Sequence, residues 1–290
     1  MKKILVTGCN GQLGRAIKQV YEKDADISIL GTDVPDLDIT DLRAVQEYVR
    51  KNAPDAIVNC AAATNVDGCE SDEEGAYRVN ATGAENMARA AAACGGKIVH
   101  VSTDYVFPGT DPEPRREDDP VGPISAYGRT KLAGEQLVMA ACPRSFVVRT
   151  AWLYGYVGRN FVKTMLRLAR EHGRISVVAD QLGNPTSAND LAHEILAVAA
   201  TEGYGVYHCT NEGTCSWFDF ASAAVDLAGV PCEKEPLTSD EYKERFPNSA
   251  DRPAYSRLDN AHLRATVGDD MRPWREALAT YMDNLEELGD

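Results

Sequence analysis

A doubly wound α/β fold, a parallel sheet with helices on both faces, is predicted by three features of this chain. Strand-like and helix-like segments alternate regularly through its first half. The strand-like runs are apolar almost throughout and do not alternate with polar residues, as strands buried on both faces must be. Each run also gives way at its carboxyl end to glycine, alanine or hydroxyl residues, and such sheets bind their ligands beyond that end.

In chain order, Lys3–Thr7 (KILVT) is a β-branched run that stops at glycine, and Gln12–Tyr21 carries apolar residues at helical spacing. Ile27–Leu30 reads as a second strand, Leu42–Val49 as a helix and Ala56–Cys60 as a third strand. A long helical stretch from Asp72 to Cys94 is closed by Gly95-Gly96. Lys97–Ser102 is the fourth strand, followed by a loop rich in Pro and Asp, a helix over Ser125–Ala141 and a fifth strand at Phe146–Thr150. Beyond that point regularity drops. Helices are predicted at Asn160–His172, Asn189–Ala200, Phe218–Ala228 and Trp274–Leu288, with strands at Ile175–Ala179 and Val206–Cys209. Residues 1–150 are therefore expected to form the Rossmann-type domain, and 151–290 mainly a smaller substrate-binding lobe with segments that rejoin the first sheet.

Charge and composition narrow the partners. The formal net charge of −14 argues against nucleic acid, because duplex binding needs clustered Lys and Arg to displace counterions. The longest apolar stretches, such as Ala90–Cys94 and Ile195–Ala200, are far too short to span a bilayer. The first residues lack the apolar core of a secretory signal, so a cytoplasmic location is expected. Eight cysteines include no C-x-x-C pair and no zinc spacing with the five histidines. They read as reduced structural residues, and no metal is expected.

The segment Thr7-Gly8-Cys9-Asn10-Gly11-Gln12-Leu13-Gly14 follows the first strand and opens the first helix. Gly8 permits a tight turn, Gly11 lets the backbone approach a pyrophosphate, and Gly14 lets helix pack on strand. The helix start adds unpaired N–H groups and a positive dipole end. Three glycines alone could be a plain turn; after a strand and before a helix they predict a dinucleotide site. Asp33, at the end of the second strand, is placed to accept from an adenosine ribose, or else is an exposed strand-end carboxylate. A carboxylate there favours NADH over NADPH through repulsion of a 2′-phosphate. Asp38-Ile39 could flank the adenine, and helix capping by Asp38 is an equal reading.

Tyr127 and Lys131 stand four residues apart, on one face of a predicted helix. A free phenol ionises near pH ~10, and an ammonium one turn away would lower that value toward the working range. The pair gains meaning from Ser102-Thr103, which ends the preceding strand and could hold a substrate oxygen beside Tyr127.

These motifs together resemble the extended short-chain dehydrogenases/reductases, in particular their nucleotide-sugar branch and the dTDP-4-dehydrorhamnose reductase family within it. Matching stretches include Asn59–Ala62, Val66-Asp67, Asn80–Gly83, Ser102–Phe107, Tyr127–Glu135, Arg149–Gly155, Asn160–Leu166, Asp180–Thr186 and Arg252-Pro253 with Ser256. The likeness covers almost the whole chain and is weakest between 230 and 250. It implies reduction of dTDP-4-dehydro-L-rhamnose to dTDP-L-rhamnose by NADPH or NADH. By the same resemblance Tyr127 is the general acid, Lys131 its partner and ribose anchor, and Thr103 the hydroxyl that polarises the ketone. Gly11, Gln12, Leu13, Asp33, Asp38, Ile39, Ala62, Ala63 and Thr64 would line the dinucleotide, and Thr103, Asp104 and Trp152 would touch the nucleotide sugar. Without the resemblance, Trp152 reads more readily as a core aromatic. Candidate donors to the diphosphate are Arg252, Lys163, Arg167 and helix N-termini near Asn160, although Arg252 is equally suited to a surface ion pair. His100, inside a strand, reads as packed or solvent-facing and not as a base.

One position departs from the family. Some members dimerise through a divalent cation held by glutamates, one of them beside the last loop glycine, where this chain has Arg15. Neither that metal nor that dimer is carried over, and the expectation is a monomer or homodimer. Related 4,6-dehydratases follow Ser-Thr with Asp-Glu; Asp104-Tyr105 lacks that glutamate. A 4-epimerase or a non-catalytic regulatory subunit of the same fold are the remaining alternatives, and the intact Thr103, Tyr127 and Lys131 favour an enzyme.

Overall fold

Six strands form one parallel sheet in the computed structural model, which describes residues 2–288. They are β1 (Lys2–Thr7), β2 (Ile27–Thr32), β3 (Ala56–Asn59), β4 (Lys97–Thr103), β5 (Ser145–Thr150) and β6 (Gly205–His208), in spatial order β6-β5-β4-β3-β1-β2. The predicted α/β class and doubly wound sheet are thus present. The strand expected at Val206–Cys209 is the sixth member of that sheet, while the one expected at Ile175–Ala179 lies outside it, paired as Arg174–Val178 with Glu233–Leu237.

Alternation along each strand divides the core into two layers. Ile4 and Val6 of β1, Val58, Val99 and Phe146 face one side; Leu5, Ile57 and Ile98 face the other. Helix α1 (Gln12–Tyr21) covers the first side. On the second lie α2 (Leu42–Asn52), α3 (Ala84–Ala93) and α4 (Ala126–Ala141). The smaller lobe is built on α5 (Phe161–His172), α7 (Trp217–Leu227) and α8 (Trp274–Leu288), which bury Leu166, Phe220, Ala224 and Leu278 in a core of their own. Helix α6 (Ala188–Ala199) instead packs Leu191, Ala192 and Ile195 onto the main sheet beside α1, so residues after 150 serve both bodies.

The helix predicted over 72–94 is interrupted. A short helix Glu73–Tyr77 leads into a π-helical turn, Arg78–Gly83, before α3 resumes ordinary helix. Apolar spacing tolerates the one-residue slip of a π turn, so the pattern gave no warning of it. Three short helices, Val66–Ser71, Ser239–Arg245 and Ala261–Thr266, lie outside the predicted elements. No helix among the described residues is long and apolar enough to cross a membrane, and all eight cysteines are free.

After β1 the chain runs outward to β2 and then crosses back to place β3 on the other side of β1. The crevice at the carboxyl ends of β1 and β3 is therefore a topological switch point, where open α/β sheets bind ligands.

Candidate active site

A cleft of about 750 Å³ opens at that switch point and continues past the ends of β4 and β5 to the second lobe. Its floor is the glycine loop. Gly8 has a left-handed φ of +62°, and a β-carbon there would lie 2.9 Å from Ala61 backbone atoms. One on Gly14 would fall 2.4 Å from the Gly8 carbonyl oxygen. The loop thus lies flat against its neighbours, and no side chain caps the N-terminus of α1. Backbone N–H groups lining an open cleft at a helix start suit a phosphate. The residues present fit a dinucleotide pyrophosphate.

Two carboxylates stand on the cleft wall at the end of β2 and just beyond it. Asp33 accepts from the Asn10 N–H at 3.0 Å and from the Val34 N–H at 2.9 Å, which ties the loop to the end of β2. Asp38 accepts from the N–H and hydroxyl of Thr40 at 2.9 and 2.8 Å. It does not cap α2; Asp41 does, accepting from the Arg43 and Ala44 N–H groups. Asp38 therefore lines the cleft held in a local turn, with Ile39 beside it.

At the opposite end, α4 brings Tyr127 and Lys131 to the mouth of β4. Ser125 caps the helix by accepting from the Gly128 N–H, and the Ala126 N–H donates to Glu70 at 2.6 Å. Arg129 clasps Glu73 with two hydrogen bonds, 2.9 and 2.7 Å. Gly128 allows the close approach: a β-carbon there would lie 2.3 Å from the Tyr105 carbonyl oxygen. Tyr127 consequently packs edge-on against Tyr105, with centroids 5.5 Å apart, and its phenol lies beside the Thr103 hydroxyl. Thr103 in turn donates to Asp104 at 2.8 Å.

Electrostatics differ here from the sequence expectation. Burial raises the Tyr127 phenol further above its ordinary range, outweighing the opposing influence of the neighbouring Thr103 hydroxyl. Lys131 does not offset this: its Nζ donates to the Val101 carbonyl at 2.6 Å, and burial lowers it to about 8. Desolvation disfavours the charged form of each and is the largest cause of both shifts. The phenol is left fully protonated at neutral pH, the form a proton donor needs.

Asp104 is pushed up to about 7 by burial, opposed by the hydrogen bond from Thr103 and by the nearby Ser256 hydroxyl. An unfolded Asp ionises near ~3.9. Between these values the folded chain keeps a proton that the unfolded chain has released, so this residue makes stability fall as pH rises from about 4 to about 7. Above that range it adds no slope. Asp104→Asn should remove the decline, read from urea unfolding of both proteins across that range; parallel profiles would mean Asp104 ionises like a free carboxyl.

The second lobe closes the cleft with aromatics. Trp152 adopts a left-handed φ of +48°, rare for a bulky residue, and its ring stacks on Trp217 at 3.5 Å and 9°. Its Nε1 donates to Ser256 at 3.1 Å.

The chain as a whole is similar to known proteins. The family model described as the RmlD substrate binding domain matches residues 1–287. This chain belongs to the RmlD family. A crystal structure of a dTDP-4-dehydrorhamnose reductase from Clostridium acetobutylicum ATCC 824 superposes with a TM-score of 0.94 at 48% identity, over 98% of this chain and 99% of that one. The Bacillus anthracis str. Ames dTDP-4-dehydrorhamnose reductase, in complex with NADP, gives a TM-score of 0.92 at 42% identity, over 98% and 100%. The Mycobacterium tuberculosis (strain ATCC 25618 / H37Rv) dTDP-4-dehydrorhamnose reductase is 43% identical, over 97% of this chain and 92% of its own.

In this RmlD-family chain the cleft gathers Gly8, Gly11, Gln12, Leu13, Gly14, Asp33, Ala62, Thr64, Thr103, Asp104, Tyr127, Lys131 and Trp152 along one wall or another. Ala63 is not brought to it. Its N–H donates to the Asn80 side chain at 2.8 Å and its carbonyl accepts from the same amide at 3.1 Å. Asn80 sits in the π turn and also reaches Thr130, so that turn pins the loop after β3 to α4. Three candidate diphosphate donors are otherwise engaged. Lys163 donates to the Tyr156 carbonyl, Arg167 pairs with Glu171 on its own helix, and Arg252 pairs with Asp67 at 3.3 Å. The α5 N-terminus is capped by Asn160 itself. Arg159, which the sequence reading passed over, lies on the cleft wall.

Two further groups lie behind the site: His100 is packed, one of the two readings open to it, and Glu135 was missed. His100 is buried, with Nδ1 3.1 Å from Asn59 Nδ2 and Nε2 3.5 Å from Lys131 Nζ, and Asn59 accepts from Thr7 at 2.6 Å. Glu135, one turn beyond Lys131, accepts from Ser102 at 2.5 Å and forms a bidentate pair with Arg149 at 2.8 and 2.9 Å. The four-residue step Tyr127, Lys131, Glu135 was the available signal for the latter.

Proposed function

We propose that this chain reduces the C4 ketone of dTDP-4-dehydro-L-rhamnose to give dTDP-L-rhamnose, with NADPH or NADH as reductant. The observation that carries this reading is the contact of the Tyr127 phenol with the Thr103 hydroxyl in the same cleft as the glycine loop, in a chain of the RmlD family. When bound, the nicotinamide supplies a hydride equivalent to the carbonyl carbon. The chain does the rest. Thr103 and Tyr127 hold the ketone oxygen between two hydroxyl donors, and Tyr127 passes its proton to that oxygen as charge develops. Lys131, one turn along α4, anchors the nicotinamide ribose. Gly11, Gln12 and Leu13 hold the pyrophosphate, and Asp33, Asp38 and Ile39 the adenosine. Asp104 and Trp152 contact the sugar nucleotide. A cytoplasmic setting, and action as a monomer or homodimer without nucleic acid, belong to the same reading; the net charge of −14 supports the last point. Loss of reduced-nicotinamide absorbance on adding dTDP-4-keto-6-deoxy-L-mannose is the expected result, and no turnover with either reductant would overturn the proposal.

Trp152 tests the sugar contact. Its flat face and strained backbone suit a residue placed for a ligand. Trp152→Ala should raise the substrate KM several-fold, and the cofactor KM much less, a loss of ground-state binding. If only thermal stability drops while both KM values hold, Trp152 is a core aromatic and the sugar lies elsewhere.

A further inference from the structure

Arg15 is a cation beside the glycine loop that the reaction proposed above leaves unused. It is exposed at the first turn of α1, immediately after the last loop glycine. Among the described residues it makes no ion pair; its Nη2 donates to the Asn10 side-chain oxygen at 3.2 Å. Asn10 lines the cleft, and its N–H donates to Asp33 Oδ2 at 3.0 Å. The guanidinium is thus one residue removed from the carboxylate that marks the adenosine ribose. Lys18, one turn further along α1, adds a second cation. Burial and then Asp33 raise the Cys9 thiol while Arg15 and Lys18 pull it down, which places all three charges around one small side chain.

A carboxylate at a ribose edge repels a 2′-phosphate. Here its oxygens are already met by the Asn10 and Val34 N–H groups, and a guanidinium without a carboxylate partner among the described residues stands at the same corner. Arginine binds phosphate through two parallel N–H bonds. We infer that Arg15 is the specificity residue for the 2′-phosphate of NADPH, letting a chain with Asp33 accept the phosphorylated cofactor beside NADH. The inference rests on the dinucleotide reading of the cleft.

Calorimetric titration of the intact protein with NADP⁺, NAD⁺, 2′,5′-ADP and 5′-AMP tests it without turnover. Arg15→Ala should weaken NADP⁺ and 2′,5′-ADP by about tenfold or more, the scale of one charged hydrogen-bonded contact. NAD⁺ and 5′-AMP should stay within about twofold of the unsubstituted protein. Arg15→Lys should fall between, because it keeps charge and loses the fork. Asp33→Ala should shift preference toward NADP⁺. Unchanged NADP⁺ affinity in Arg15→Ala overturns the inference, as does an equal loss of NAD⁺, which would make Arg15 a support for the loop. If the unsubstituted protein binds neither dinucleotide, the reading of the cleft falls first and the inference with it.

Discussion

Tyr127→Phe should lower kcat by at least about a hundredfold, the usual scale for losing a general acid, while leaving dinucleotide affinity nearly unchanged. The substitution is clean because the ring is held by packing: it lies half-buried on α4 against Tyr105, with its phenolic oxygen beside Thr103. Phenylalanine fits the same space. A hundredfold corresponds to about 2.7 kcal/mol of transition-state stabilisation, more than one neutral hydrogen bond contributes and consistent with a proton transferred in the transition state. Turnover within a few-fold of the unsubstituted protein would remove Tyr127 from the proton path and leave Thr103 or a water as donor.

Arg149→Met should cost about 3–5 kcal/mol of stability, the penalty for stranding one member of a buried pair. Glu135 and Arg149 are 1% and 5% exposed, and methionine would leave the carboxylate with only the Ser102 hydroxyl to satisfy it. Phe107, over which the guanidinium lies at 5.1 Å, would lose that contact too. The double variant Arg149→Met/Glu135→Leu should recover at least half of the loss, because neither member of the pair is then left buried without the other. Urea unfolding of both variants measures this. A loss below about 1 kcal/mol for the single variant would mean water reaches the pair. Ser102 precedes Thr103 on β4, so the single variant should also lower kcat by displacing that hydroxyl.

Much of the fold was legible because its signals are local. The glycine loop, the apolar strands and the helical spacing of Gln12–Tyr21 and Trp274–Leu288 each lie within a few consecutive residues, and the structure returns both helices with the same ends. The π turn was not legible, because one inserted residue barely disturbs apolar spacing, yet it aims Asn80 at the loop after β3.

By itself the sequence determined the fold class, the switch-point loop and the spacing of Tyr127 and Lys131, since backbone sterics and helix periodicity act between near neighbours. It also carried the family resemblance. The tertiary structure alone decided what each ionisable group experiences. The ammonium expected to lower the Tyr127 phenol is turned toward Val101, and burial raises the phenol instead. Ala63 is bonded to Asn80 and so withdrawn from the cleft, and three of the cations expected at a diphosphate are bound elsewhere. Desolvation and pairing depend on groups brought together from distant parts of the chain, and no residue's own neighbours along the sequence encode them.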